Sequence, residues 1–455
     1  MDLVIEGGTV ITLNERDEVV PEGTVLVREG RIAGILRKGE RKRLPARARR
    51  IKAAGRVVLP GLVNAHTHLW QTLIRGLFTH RPMLEWLKAV YGTAKVLRPE
   101  DHYHGALVGC LEAIRSGVTC LVEHHFLTHL AESSDALIRG IREVGVRGFL
   151  ARGFMDAGRL TPRSVMESPR HALRECERLM REYKAELDSG LLGLMVAPNT
   201  PGASVSSRGL QEAASFAAAH RLGLSTHVAE NRAIVEEVRR QYRAGGVVEY
   251  LERLGVLGDR VITAHTVWVQ DGEIQTLATR GVHVSHNPVS NMYLGDGVAP
   301  VPAMLRAGVN VALGTDGAAS NNSQDMFETM KVAALLQRVH HCDPTLMPAR
   351  QVLGMAIAGG YRAVGLGQEG GCLEPGRLAD LIIVDLRREP HTVALHDLVA
   401  QLVYCARPGD VRTVVVGGQV VMEEGRILTV DEEAVLAKAQ RAGERLVGRI
   451  RDAGL

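Results

Sequence analysis

Cysteine is scarce in this 455-residue chain, and the six present (Cys110, Cys120, Cys176, Cys342, Cys372 and Cys405) are scattered without CxxC spacing. That excludes a disulfide framework and a zinc knuckle and leaves buried or bystander thiols. No apolar run approaches the ~20 residues needed to span a bilayer. The opening segment Met1 to Gly8 lacks the basic, apolar and small-residue order of a secretory signal. The expectation is a cytoplasmic protein without a membrane partner. Charge of one sign is lacking too, since 55 basic residues against 51 acidic ones leave a net +4. That is too slight for a nucleic-acid partner unless it is concentrated on one face. The densest basic run, Arg37 to Arg43, reads as a solvated loop. Solenoid repeats and low-complexity tracts are absent as well. A hydrophobic fraction of 45% with 23% charged residues belongs to an ordinary globular protein.

What is present is an ordered alternation. Short β-like runs broken by turns fill the first 58 residues and return near Asp380–Asp385, Val411–Val416 and Gln419–Met422. These two terminal segments are expected to form one small domain. Between them, amphipathic helical patterns alternate with apolar strand-like runs, the pattern of a parallel α/β barrel. Several of those runs end on a chemically capable residue: His227, His265, His286 and Asp316. Barrel enzymes mount their chemistry where strands finish, so a (β/α)8 barrel fits better than a doubly wound sheet. The expected division is 1–58 and 369–430 for the terminal β domain, 59–368 for the barrel and 431–455 for a C-terminal helix.

The motif with most chemical content is Leu59-Pro60-Gly61-Leu62-Val63-Asn64-Ala65-His66-Thr67-His68. Two histidines alternating on a strand point to one side and can chelate an ion, and imidazole suits zinc and its neighbours. His227 and Asp316 are the candidates to complete the ligand set. Glu230 follows His227 closely enough to lie over the ion, which suits a proton shuttle. Water activation is assigned to Asp316 with His265.

Together with Ser285-His286-Asn287-Pro288-Val289-Ser290-Asn291, Leu313 to Asn322 and Leu373 to Leu381, these residues resemble the amidohydrolase superfamily. Within it the chain is most similar to the methylthioadenosine and S-adenosylhomocysteine deaminase group, among the cytosine-deaminase-like and chlorohydrolase-type aminohydrolases. The resemblance implies a TIM-type barrel with a β-sandwich built from both termini. It also implies one divalent ion, zinc before iron or manganese, held by His66, His68, His227 and Asp316. Glu230 is then the proton shuttle, His265 the water orienter and His286 a substrate contact. Binuclear relatives carry a central lysine, but Leu194 to Asn199 contains none, so a single ion is expected. The implied reaction is attack of metal-bound hydroxide on an amino-bearing ring carbon of a nitrogen heterocycle, with release of ammonia. Dimers or tetramers of the chain are expected, because such assemblies are common in similar enzymes.

Substrate positions give conflicting signals. Glu85 and Arg152 match residues of the adenosine-type deaminases, whereas Asn199 stands where that group has histidine. Trp70, Gln71 and the Glu123-His124-His125 run look closer to deaminases of guanine-like or pterin-like bases and to triazine hydrolases. Trp70 would stack on a ring and Gln71 would read an amide edge. Only one of His124 and His125 should face the barrel mouth, and His125 is taken as the substrate contact. Triazine-type hydrolysis releasing chloride or alkylamine is the enzyme alternative, and a metal-free scaffold is the alternative of another class. A compact zinc deaminase of nucleic acids is disfavoured, because its HxE and PCxxC pairing is missing.

Overall fold

The computed structural model describes residues 2–40, 47–158 and 161–455. Arg41, Lys42 and Arg43 of the basic run lie outside them, while Arg37 pairs with Glu18 and Lys38 with Glu22 at 2.8 Å. No helix among the described residues is long and apolar enough to cross a membrane.

Nine strands form a mixed sheet from the two ends of the chain. From the first segment come β1 (Leu3–Ile11), β2 (Val19–Arg28), β3 (Arg31–Leu36), β4 (Arg49–Lys52) and β5 (Val57–Pro60). The barrel strands follow: β6 (Leu62–Thr67), β7 (Val118–His125), β8 (Arg147–Phe154), β9 (Leu192–Pro198), β10 (Gly223–Val228), β11 (Val261–His265), β12 (His283–His286) and β13 (Asn310–Leu313). The later segment returns β14 (Leu381–Val384), β15 (Val411–Val416), β16 (Gln419–Glu423) and β17 (Arg426–Ile427). β14 lies antiparallel to β5, joining the two segments. Leu3, Ile5, Val25, Ile51, Leu381, Ile383 and Val415 from both ends share one apolar core, so the sheet encloses its own interior as a sandwich does.

The eight barrel strands run parallel in chain order from β6 to β13. They are almost wholly buried, because helices cover their outer face and leave no solvent side for alternation. The barrel closes where β6 meets β13. There the Asn64 side chain bridges the two strands, donating to Thr315 Oγ1 at 2.7 Å and accepting from the Thr315 N–H at 3.0 Å. One residue on, the Asp316 N–H donates to the His66 carbonyl at 2.9 Å. The chemistry-bearing strand ends are thereby brought to one mouth.

The C-terminal helix, Glu432–Asp452, buries Ala439, Ala442, Leu446 and Ile450. It packs on the helix Pro99–Arg115 and on the turn Leu69–Ile74, so it docks on the barrel.

A buried ion pair locks barrel to sheet. Arg147, at the start of β8, forms two hydrogen bonds with Asp380 at 2.8 and 3.0 Å. Asp380 also accepts from Tyr361 Oη at 2.9 Å and from the Gly417 N–H at 2.6 Å. Removing one partner strands the other charge in the interior. Asp380→Ala is therefore expected to cost about 3–5 kcal/mol, measured as a lower urea midpoint; an unchanged midpoint would contradict the lock.

Candidate active site

Four side chains converge where the strands end. His66 lies on β6 and His68 follows it; His227 lies on β10, and Asp316 follows β13 by three residues. His68 Nδ1 is 2.6 Å from the His124 carbonyl and His227 Nδ1 is 2.9 Å from that of Asn199. Each Nδ1–H is thus a donor, and each Nε2 is left with its lone pair facing the centre. The two Nε2 atoms are 3.4 Å apart. Asp316 Oδ1 lies 3.5 Å from His66 Nε2 and 3.3 Å from His68 Nε2.

These spacings fit a metal ion. Two ligands at about 2.0–2.1 Å in a tetrahedral arrangement are separated by about 3.3–3.4 Å. The buried Nε2 of His66 has no protein partner, as expected of an atom whose partner is an ion. His66, His68 and His227 can hold a metal together, as can His66, His265 and Asp316. Protonation states agree. Burial lowers His66 to about 4 and takes His227 well below its ordinary value, so both stay neutral. Although burial raises Asp316, the His66 and His68 ring nitrogens that face it outweigh this and hold the carboxyl well below its usual range. Its Oδ2 accepts from Ser290 Oγ at 2.5 Å and Ser320 Oγ at 2.8 Å, leaving Oδ1 for the ion.

Glu230 and His265 flank this cluster. Burial, reinforced by the Asp316 charge, raises Glu230 to about 8, so the buried carboxyl is a proton donor at neutral pH. Its Oε1 lies 3.5 Å from His265 Nε2. His265 Nδ1 is 2.8 Å from Asn291 Oδ1; it donates there, and Nε2 remains an acceptor 4.0 Å from Asp316 Oδ2. Both His265 and Asp316 hold positive φ, 69° and 63°. Such strain in residues other than glycine gathers at functional sites.

A cavity opens onto these groups and contains His68, His227, Glu230, His265, Asp316, Gln71 and Asn199 in its wall. Met83, Leu84, Trp86, Leu87, Tyr91, Phe126 and Ile234 give it an apolar side.

Other substrate-side expectations need correction. His125 points away from the mouth, with Nε2 2.9 Å from Ser133 Oγ. His124 instead packs 4.4 Å from the His227 ring, and the inward phase at the end of β7 therefore belongs to His124. Trp70 is fully buried 6.2 Å from Phe126, backing the cavity rather than lining it, and the aromatics in the wall are Trp86, Tyr91 and Phe126. Glu85 is exposed on the helix Met83–Gly92, outside the lining. Arg152 is held by Glu167 in a buried pair. His286 is buried with both ring nitrogens unpartnered and also lies outside the lining.

Sequence reasoning missed Ser290, Ser320 and Asn291, which anchor Asp316 and His265. All three lie inside the motifs on which the resemblance rests. The apolar wall carried no such signal.

Comparison with known proteins agrees with this geometry. The model of the amidohydrolase family matches residues 57–421. The chain belongs to the amidohydrolase family. Among similar members is the 5'-deoxyadenosine deaminase of Methanosarcina mazei, 39% identical over 450 residues, covering 99% of each chain. The 5-methylthioadenosine/S-adenosylhomocysteine deaminase of Pelotomaculum thermopropionicum is 38% identical over 98% of this chain and 99% of its own. An adenosine deaminase from Xanthomonas campestris, solved with bound zinc, superimposes with a TM-score of 0.91 at 31% identity, covering 98% of this chain and 99% of that one. The amidohydrolase donor set described above thus accommodates a divalent metal.

Chelation is expected to lower the thermal midpoint and metal re-addition to restore it, because an ion bound only by the folded state stabilises that state. His68→Ala should purify with little bound metal, as read by elemental analysis; metal content equal to the wild type would remove His68 from the ligand set.

Proposed function

We propose that this amidohydrolase is a zinc-dependent aminohydrolase that releases ammonia from an adenosine-type nucleoside. The observation that carries this reading is the buried Glu230 carboxyl beside His265, facing the His66, His68, His227 and Asp316 cluster across one cavity. The names of the similar family members favour adenosine-type nucleosides. So does the apolar side formed by Met83, Leu84, Trp86, Leu87 and Phe126, which suits the flat base and a 5' substituent poor in polar groups.

His66, His68, His227 and Asp316 would hold a divalent ion, which would supply water activated at neutral pH. His265 Nε2 accepts a proton from that water, with the ring fixed through Asn291. Glu230 donates its proton to the ring nitrogen beside the amino-bearing carbon, which draws electron density from that carbon and opens it to attack. The Glu230 carboxylate then takes the proton of the added hydroxyl as the carbonyl forms, His265 passes its proton to the departing amino group, and ammonia leaves. Gln71 and Asn199 orient the base. The buried wall keeps bulk water away and strengthens each of these electrostatic contacts.

The test is ammonia release by the zinc-loaded protein from adenosine-type nucleosides, guanine-like bases, cytosine, pterins and aminotriazines, with chloride and alkylamine followed in parallel. Turnover confined to the adenosine-type group is expected; release of chloride or alkylamine alone would replace the proposal with triazine-type hydrolysis. Glu230→Gln should keep its metal and lose roughly 10²–10⁴-fold in kcat, and full activity in that variant would remove the proton-shuttle role.

A further inference from the structure

Besides His265 Nε2, three polar atoms in the cavity wall are buried without a protein partner: Gln71 Nε2, Asn199 Oδ1 and Thr161 Oγ1. Buried polar groups are nearly always paired, so these atoms mark where a bound molecule supplies the partner.

Gln71 differs from Asn199 in one respect. Its Oε1 accepts from the Ala319 N–H at 3.3 Å, and a backbone N–H can only donate. The amide therefore has one orientation, with Oε1 toward Ala319 and Nε2 toward the cavity. The amide lies close against Gly317, where a Cβ would come 1.9 Å from Oε1. Only glycine at 317 lets this amide lie against the backbone next to Asp316. Asn199 donates from Nδ2 to Tyr91 Oη at 2.9 Å. A phenol oxygen can donate or accept, so Asn199 satisfies Tyr91 in either orientation. The cavity thus holds one fixed donor beside the ligand cluster and one adaptable amide.

We propose that Gln71 is a specificity-determining residue whose Nε2 donates to a ring nitrogen of an aminopurine. The inference rests on the adenosine-type reading and deepens it. Around an adenine ring every unsubstituted nitrogen is an acceptor. N1 flanks the amino-bearing carbon and receives the Glu230 proton, which leaves N3 and N7 for Gln71. Guanine-like and pterin-like rings carry N–H groups on the ring that hydrolyses. A fixed donor meeting such an N–H leaves two buried donors facing each other, and this turns those rings away.

The test compares an adenosine-type nucleoside with its 3-deaza and 7-deaza analogues, in wild type and Gln71→Leu, by kcat/KM and by equilibrium binding. In the wild type one analogue should lose roughly tenfold or more. Gln71→Leu should lose a similar factor on the parent nucleoside and show no further penalty for that analogue, the signature of a shared contact. Gln71→Glu is a second variant, which keeps the bond to Ala319 and turns an acceptor to the ring. It should shift preference toward rings bearing N–H, at wild-type metal content. If the parent is turned over but both deaza penalties are the same in wild type and Gln71→Leu, the assignment of Gln71 falls alone. If the wild type neither binds nor turns over the parent, the adenosine-type reading falls with it.

Discussion

The seam between β6 and β13 is the constraint behind the active centre. His66 and His68 lie about 250 residues from Asp316 in the chain, and they meet because Asn64 and Thr315 complete the hydrogen bonding of two strands that share no ladder. The bond from the Asp316 N–H to the His66 carbonyl sets the spacing between the first ligands and the last. Asp316 holds a positive φ, and two serine hydroxyls donate to its carboxylate. His68, His227 and Asp316 are each held by a partner that is not itself a ligand, which fixes tautomer and direction before any ion arrives.

Burial does two jobs in this site. It removes water from the imidazoles, so they remain neutral and available as ligands, and it raises Glu230 so that the carboxyl keeps its proton. Asp316 escapes the same effect because histidine ring nitrogens lie against it. Two carboxyl groups in one cavity thus occupy opposite protonation states, the division of labour that acid and base chemistry at one pH requires.

The candidate ligand cluster was legible because strand periodicity, the HxH spacing and polar residues at strand ends all point one way, and a parallel barrel carries each such residue to the same mouth. The substrate side was less legible for geometric reasons. The ladder between β6 and β7 is irregular, so whether His124 or His125 faces inward is not fixed by simple alternation. The helix Met83–Gly92 lies in a long connection whose rotation about its own axis is set by packing, not by spacing. That rotation turns Trp86 inward and Glu85 to solvent. Arg152 reads as a free cation in sequence, and only the fold reveals that Glu167 neutralises it.

Pairing of β5 with β14 has a consequence for how the protein is made. Residues 57–60 must wait for residues 381–384 before their ladder can form, so the terminal domain cannot be finished until most of the barrel has left the ribosome. Contacts of such sequence separation form slowly. In the interval, the apolar edge of β5 and the inner faces of the early hairpins are exposed to other nascent chains. The active centre shares this delay, since Asp316 also arrives late. A ribosome-bound fragment ending before β13 has His66 and His68 but not Asp316.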